Sequence, residues 1–340
     1  MRSMSGKDDI PSGFQDLEEV EAPFEVRNVV IKSPPETVDK YYKAHEELGS
    51  GKFGRVVRCS EIVSGRTLAC KYIDLKMSKI GDILNEIAIM QKLQHPRLLQ
   101  LYDAFQESTR MILILEFLTG GELFYRVVNT EYSERTCKFY LIQLCEALKF
   151  MHDHSIIHLD LKPENILLVN PESNKIKVID FGLAQEQKPG ESLKVLWGTA
   201  EFVAPEVINY EDISIKTDMW SVGVITYILL SGISPFMGEN VGETYGNVVN
   251  VRYDFDDESF ETCSPEAKVF IQDLLIKEQS KRISADEALK HRWLQEITSN
   301  VGKSFNKDKL KNYLTRRKWR RAINGVLALQ LMGADLDMRK

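Results

Sequence analysis

His158-Leu-Asp-Leu-Lys-Pro-Glu-Asn165 and, fifteen residues on, Asp180-Phe-Gly182 decide how this 340-residue chain is read. Asp160 offers a carboxylate that can take a proton from a hydroxyl. Lys162 places a cation two residues later, and Asn165 an amide oxygen five residues after Asp160. Asp180 follows the strand-like run Ile176-Lys-Val-Ile179 and adds an oxygen donor of the hard kind that Mg2+ prefers. Acids, an amide and a lysine at this spacing suit phosphoryl transfer. That chemistry needs an oriented acceptor, metal bridging of the phosphates and positive charge near the transferred group. With Asp160 filling the role of base, His158 reads as structural.

Working towards the N-terminus, Gly49-Ser-Gly51-Lys-Phe-Gly54-Arg-Val56 is a GxGxxGxV stretch. Glycines there let the backbone bend and approach a polyphosphate without Cβ clashes. Strand patterns flank it on both sides, whereas a dinucleotide-binding fold would follow it with a helix. Lys71 comes next, after Ala69 in the strand pattern Thr67–Asp74, so its ammonium is expected in the cleft beneath the glycine stretch. Glu86, on a helix expected over Ile80–Lys92, is the natural partner that would hold Lys71 over the phosphates. Strands are also expected in LLQLYDAF (98–105) and MILILEFL (111–118). Beyond Gly120–Gly121 the pattern turns helical: Leu141, Leu144, Cys145, Leu148 and Met151 form the apolar face of a core helix capped by Ser133. A strand-rich part followed by a helical part implies an α+β chain of two unlike lobes meeting at a hinge.

In this order, the glycine stretch, Ala69-Cys-Lys71, Glu86, His158–Asn165, Asp180-Phe-Gly182, Ala204-Pro-Glu206 and Asp218-Met-Trp-Ser-Val-Gly223 resemble the protein kinase family over roughly residues 44–294. The resemblance implies ATP and Mg2+ as cofactors. Asp160, Lys162, Lys71 and Glu86 would be the catalytic group, and Asn165 and Asp180 the metal ligands. Gly49, Gly51, Gly54, Val56, Ala69 and Lys71 would cover the nucleotide. Leu115 would be the gatekeeper, with Glu116 and Leu118 giving hinge backbone groups to the adenine and Glu122 near the ribose or a basic substrate residue. It further implies a Glu206–Arg282 ion pair and an Asp218 that braces the catalytic loop. Lys-Pro-Glu-Asn with Gly198-Thr-Ala-Glu-Phe202 is similar to the serine/threonine branch, with Thr199 in the substrate-facing loop. Glu122, Glu164 and Glu201 would be the groove acids for a basic substrate. Leu159 stands where many kinases carry the arginine that clamps a phosphorylated activation loop, so control is expected elsewhere. A pseudokinase would show damage at Lys71, Asp160, Asn165 or Asp180, and all four are intact.

The tail supplies the candidate control. Between Lys303 and Arg321 stand nine Lys or Arg and one acid, a local charge of +8, which leaves −14 for the rest of a chain of net charge −6. Within Tyr313–Met332, Trp319, Ile323 and Val326 share a helical face and Met332 lies part-way round it, an arrangement that calmodulin's grooves accept, although the composition alone fits a solvated C-terminal helix or a membrane-surface or nucleic-acid patch as well. Gly325 weakens this helix, which suggests a segment that becomes helical mainly on binding. Basic tails of the RRKW type, together with HLDLKPEN, SLKVLWGTAEFVAPEVINYE and DFDDESF, resemble myosin light chain kinases. That resemblance implies Ca2+-dependent calmodulin binding, myosin regulatory light chain as substrate and a cytoplasmic, actomyosin-associated monomer. Kinases of giant muscle proteins and of the death-associated type share the catalytic loop and differ in the tail. Lys303–Lys318 is expected to lie against the acidic groove until calmodulin removes it. Domain limits are placed at 1–40 (acidic mobile leader), 41–296 (lobes 41–118 and 119–296) and 297–340 (regulatory tail). Five cysteines without CxxC spacing, no clustered histidines and no long apolar run exclude a disulfide framework, a zinc site and a membrane span, and no nucleic-acid or membrane partner is expected.

Overall fold

The computed structural model describes residues 19, 24–51, 54–130, 132–296 and 305–331, with the backbone alone from 321 onward. Strands come first: β1 (Ile31–Lys32), β2 (Tyr42–Gly51), β3 (Gly54–Glu61) and β4 (Thr67–Asp74). Helix α1 (Ile80–Lys92) follows, then β5 (Leu101–Gln106) and β6 (Arg110–Glu116). They form a six-stranded sheet in the order β1-β5-β6-β4-β3-β2. In it β1 runs parallel to β5 and the other neighbours are antiparallel. Alternation along each strand sorts the side chains between two faces. Leu68 and Cys70 join Val57, Cys59, Ile112 and Ile114 on one face. Ala69 and Ile73 pack with Ile83, Ile87 and Met90 of α1 on the other. Lys71, between Ala69 and Ile73, therefore points towards α1 and the cleft.

Residues 117–122 lead into the helical lobe. Its elements are α2 (Leu123–Asn129), α3 (Glu134–Asp153), β7 (Ile156–Ile157), β8 (Ile166–Leu168), β9 (Ile176–Val178) and β10 (Gln185–Glu186). Then come α4 (Pro205–Ile208), α5 (Lys216–Ser231), α6 (Val241–Val249), α7 (Pro265–Leu274), α8 (Ala285–Lys290), α9 (Arg292–Gln295) and α10 (Lys307–Leu331). Ser133 caps α3 as expected, its hydroxyl accepting from Thr136 N–H at 3.4 Å. From Thr217 to Ser231 every residue of α5 is buried, so this helix forms the centre of the lobe and stops at Gly232, whose φ is +76°. The short pairs β7–β10 and β8–β9 carry the loops of the cleft.

Three features depart from the reading of the sequence. Residues 24–40, expected to be mobile apart from a candidate strand in VRNVVIKS (26–33), run along the first lobe, where Val29 and Val38 are buried and Ile31–Lys32, inside that stretch, pair with β5. Their backbone finds partners on Gln91, Gln94 and Gln100, which offsets the entropy of ordering an acidic segment. The helical lobe does not end at 296 either. Phe305, Leu310, Tyr313 and Leu314 belong to its main hydrophobic core: Phe305 just precedes α10, and successive turns of α10 present Leu310, Tyr313 and Leu314 inward. Finally, α10 is helical through Gly325. Its first turns are fixed against the lobe, so the cost of helix nucleation is already met. Met332 and the side chains of Ile323 and Val326 lie outside the described residues.

Candidate active site

Strands β2 and β3 make the glycine stretch a hairpin, with Gly51 facing Gly54 across the ladder. Gly54 has φ +146°, and a Cβ there would fall 1.8 Å from the carbonyl oxygen of Tyr72, so only glycine fits beside β4. Gly49 opens onto space, and Val56 packs from β3 onto the main core. Beneath the hairpin, Lys71 Nζ donates to Glu86 Oε1 at 2.8 Å, with the carboxylate buried on α1. At the end of β6, Glu116 pairs with Lys177 of β9 at 2.8 Å. The backbone of Leu118 has no hydrogen-bond partner among the described residues, whereas Thr119 and Gly120 N–H are taken by Val169 and Leu168 carbonyls.

The loop after β7 is held by buried polar groups. Asp218, on α5, accepts from His158 N–H and Leu159 N–H, each at 2.9 Å, and contacts His152 Nε2 at 2.9 Å. His158 is fully buried. Its Nδ1 accepts from Asp160 N–H at 3.2 Å, so Nε2 carries the proton that goes to the Ile179 carbonyl at 3.1 Å. One imidazole thereby ties the loop to the residue before Asp180. Leu159 takes φ +66° and packs with Leu193, Val195, Val203 and Ile213, an apolar cluster where an arginine would otherwise stand.

Three side chains converge on Asp160. Thr199 Oγ1 donates to Oδ1 at 3.1 Å, the Lys162 ammonium contacts Oδ2, and Asn165 Nδ2 donates to the Asp160 carbonyl at 2.9 Å. With its nitrogen so committed, Asn165 leaves Oδ1 unbonded among the described residues. Asp180, at φ +69°, is exposed to the cleft, and among the described residues its carboxylate accepts only from Gly182 N–H at 3.4 Å. Together these are two hard oxygen donors with room for other ligands, a set that fits Mg2+ completed by phosphate oxygens. Among the described residues no cluster of three His, Cys, Asp or Glu could hold a metal alone. Further down, Arg282 and Glu206 form a fully buried fork at 2.8 and 3.1 Å, completed by Thr217 and the Ile276 and Lys216 carbonyls.

Residues 42–294 match the family described as protein kinase domain. The chain belongs to the protein kinase family. Within it, the kinase is similar to myosin light chain kinase 3 of Homo sapiens, at 48% identity over 90% of this chain and 38% of that one. It is also similar to myosin light chain kinase family member 4 of Homo sapiens, at 48% identity over 86% of this chain and 75% of that one. Among solved structures it resembles the C. elegans twitchin kinase fragment, described as an autoregulated protein kinase with immunoglobulin domains. There the TM-score is 0.82, with 39% identity over 88% of this chain and 67% of that one. The chain thus spans well under half the length of the first of these relatives.

In this kinase the mouth of the site is covered by its own tail. Arg317 on α10 donates Nε and Nη2 to Glu164 at 2.7 and 2.9 Å, and Nη1 to Glu201 at 3.3 Å. Its guanidinium lies 4.8 Å over the ring of Phe202. Tyr313 donates its hydroxyl to Glu201 at 3.1 Å, and burial pushes that phenol well above its ordinary pKa. Glu122 lines the same cleft of about 350 Å³ as Glu164, Arg317 and Lys318. Lower down, Lys309 pairs with Asp257 at 2.8 Å and Phe305 N–H donates to the Tyr132 carbonyl at 2.8 Å. Trp319, by contrast, is 66% exposed. Sequence reasoning named the acids and the basic segment but not Arg317, Tyr313, Phe202 or Gly232. Only the four-residue spacing of Tyr313 and Arg317 could have signalled a shared face. No described helix is long and apolar enough to cross a membrane.

Proposed function

We propose that this chain is a calcium/calmodulin-regulated serine/threonine kinase that transfers the ATP γ-phosphoryl group to a hydroxyl in a basic protein segment, with myosin regulatory light chain as its substrate. The observation that carries the chemistry is the set of contacts around Asp160. Its Oδ2 stands beside a lysine and its Oδ1 beside Thr199, contacts that fix the orientation of the acid an incoming hydroxyl would meet. In the transfer, Asp160 receives the proton of that hydroxyl while Lys162 offsets charge on the moving group. Lys71, fixed by Glu86, holds the phosphates from above. Asn165 Oδ1 and Asp180 would hold Mg2+, which would supply positive charge against the phosphates when bound. Asp160→Asn should lower transfer by two orders of magnitude or more while sparing Mg-nucleotide binding. Transfer at an unaltered rate would remove Asp160 from the mechanism.

Regulation follows from α10. Glu164 and Glu201 are the acids a basic substrate would use, and Arg317 already occupies them. The tail therefore acts as a competitor in cis, and the exposed Trp319 is the handle by which calmodulin would lift it. The twitchin likeness favours a second reading, a giant-muscle-protein kinase with another substrate. Ca2+-dependent capture of the full chain by calmodulin, weakened by Trp319→Ala, separates the two.

A further inference from the structure

The segment before the sheet forms a strap across the back of the first lobe. Glu19 accepts from Ser173 Oγ at 2.8 Å and from Asn174 N–H, in the turn between β8 and β9 of the helical lobe. The Glu25 carbonyl accepts from Gln100 Nε2 at 2.6 Å, ahead of β5. Gln94 grips Arg27 from both sides: its Oε1 accepts from Arg27 N–H at 2.5 Å and its Nε2 donates to the Arg27 carbonyl at 2.7 Å. Gln91 Nε2 donates to the Val29 carbonyl at 2.6 Å, and the Val29 side chain is buried in the main core. The strap then enters the sheet as β1, with Ile31 opposite Ala104.

Gln91 lies in the last turn of α1 and Gln94 just beyond it, and α1 carries Glu86. At the other end α1 has no side-chain cap, since Lys79 is its N-cap residue, and Ile80 is exposed there. Asn85 reaches the Ala184 carbonyl at 3.2 Å and Lys92 reaches Glu186 at 2.6 Å, so α1 is also tied to the segment after Asp180. Lys71 is fixed in β4 between β3 and β6. A helix is stiff over the five residues from Glu86 to Gln91, about 7.5 Å, so a shift at the clamped end moves Glu86 against a stationary Lys71.

We propose that residues 24–32 are a positioning strap for the Lys71–Glu86 pair, with Gln91 and Gln94 as its positioning residues. The inference rests on the reading of that pair as the nucleotide-aligning one. In the full chain, Gln91→Ala with Gln94→Ala should speed amide exchange in the second half of α1 and lower the affinity for Mg-ATP, each by about tenfold. That is the scale of two or three lost net hydrogen bonds. Placed on Glu86→Gln, the same pair of substitutions should cause no further loss of Mg-ATP affinity, a coupling that a merely structural role would not produce. Gln94→Glu keeps the acceptor for Arg27 N–H, loses the donor, and should show the same pattern more weakly. Unchanged exchange in α1, or an affinity loss that adds in full to that of Glu86→Gln, would overturn the proposal. Neither readout needs turnover, so absence of phosphate transfer by the unaltered chain would count against the kinase reading and not against the strap.

Discussion

Arg317→Ala should convert the resting chain into one that works without calcium. Arg317 makes two charge-assisted bonds to Glu164 and one to Glu201, with its side chain and those of both acids only 10%, 9% and 11% exposed. Truncating one member of a buried pair costs about 3–5 kcal/mol when the partner stays buried. Here the upper part of α10 can swing out and let both acids hydrate, which lowers the figure to about 2–3 kcal/mol and still shifts the closed-to-open ratio roughly 30- to 150-fold. The lower part should stay in place, because Phe305, Leu310, Tyr313 and Leu314 are buried, at about 1.5–3 kcal/mol each. The assay is the initial rate of phosphate transfer to regulatory light chain in EGTA. Arg317→Lys, which keeps the charge and loses the fork, should fall between. If Arg317→Ala is as silent as the unaltered chain in EGTA while Ca2+/calmodulin activates both, the tail is not held by this residue and the reasoning fails.

Gly232→Ala should also release the tail, since a Cβ there would sit 2.7 Å from Leu310 N at a φ of +76°. A raised basal rate with about 1–2 kcal/mol less stability is expected, read by turnover and thermal unfolding. Trp319→Ala should leave basal rate and melting temperature unchanged, because the ring is exposed, yet weaken calmodulin binding by roughly 30-fold or more in a titration. Burial lowers the pKa of His95 to about 4, while its Nδ1 accepts from Arg97 N–H at 3.1 Å. Folding therefore favours the neutral ring. Its contribution is complete above pH 6.5 and is lost as pH falls from 6.5 towards 4, on the order of 2 kcal/mol. His95→Gln should flatten denaturant-measured stability across that window.

Spacing alone carried the reading as far as chemistry is local. Lys71 faces the cleft because strand alternation leaves it no other side, and Glu86 meets it because α1 packs on that face. Asn165 and Thr199 converge on Asp160 through a short loop and a turn, with Asp218 fixing the first from α5. What the sequence hid depends on contacts between distant parts of the chain. An acidic leader reads as disordered, and nothing local says that Gln91, Gln94 and Gln100 will take its backbone. Likewise Phe305, Leu310, Tyr313 and Leu314 look like part of a basic tail, yet they complete the core of the helical lobe. Which of several arginines would find Glu164 could not be read from a run of like charges. The register of α10 decides it.

The most direct test of the whole account is the rate of γ-phosphoryl transfer from Mg-ATP to purified regulatory light chain by the full chain, with EGTA and with Ca2+/calmodulin. A low rate that rises at least tenfold with Ca2+/calmodulin, in step with increased protease access to Arg317, is the predicted result. Equal rates under both conditions, or no transfer in either, would contradict it.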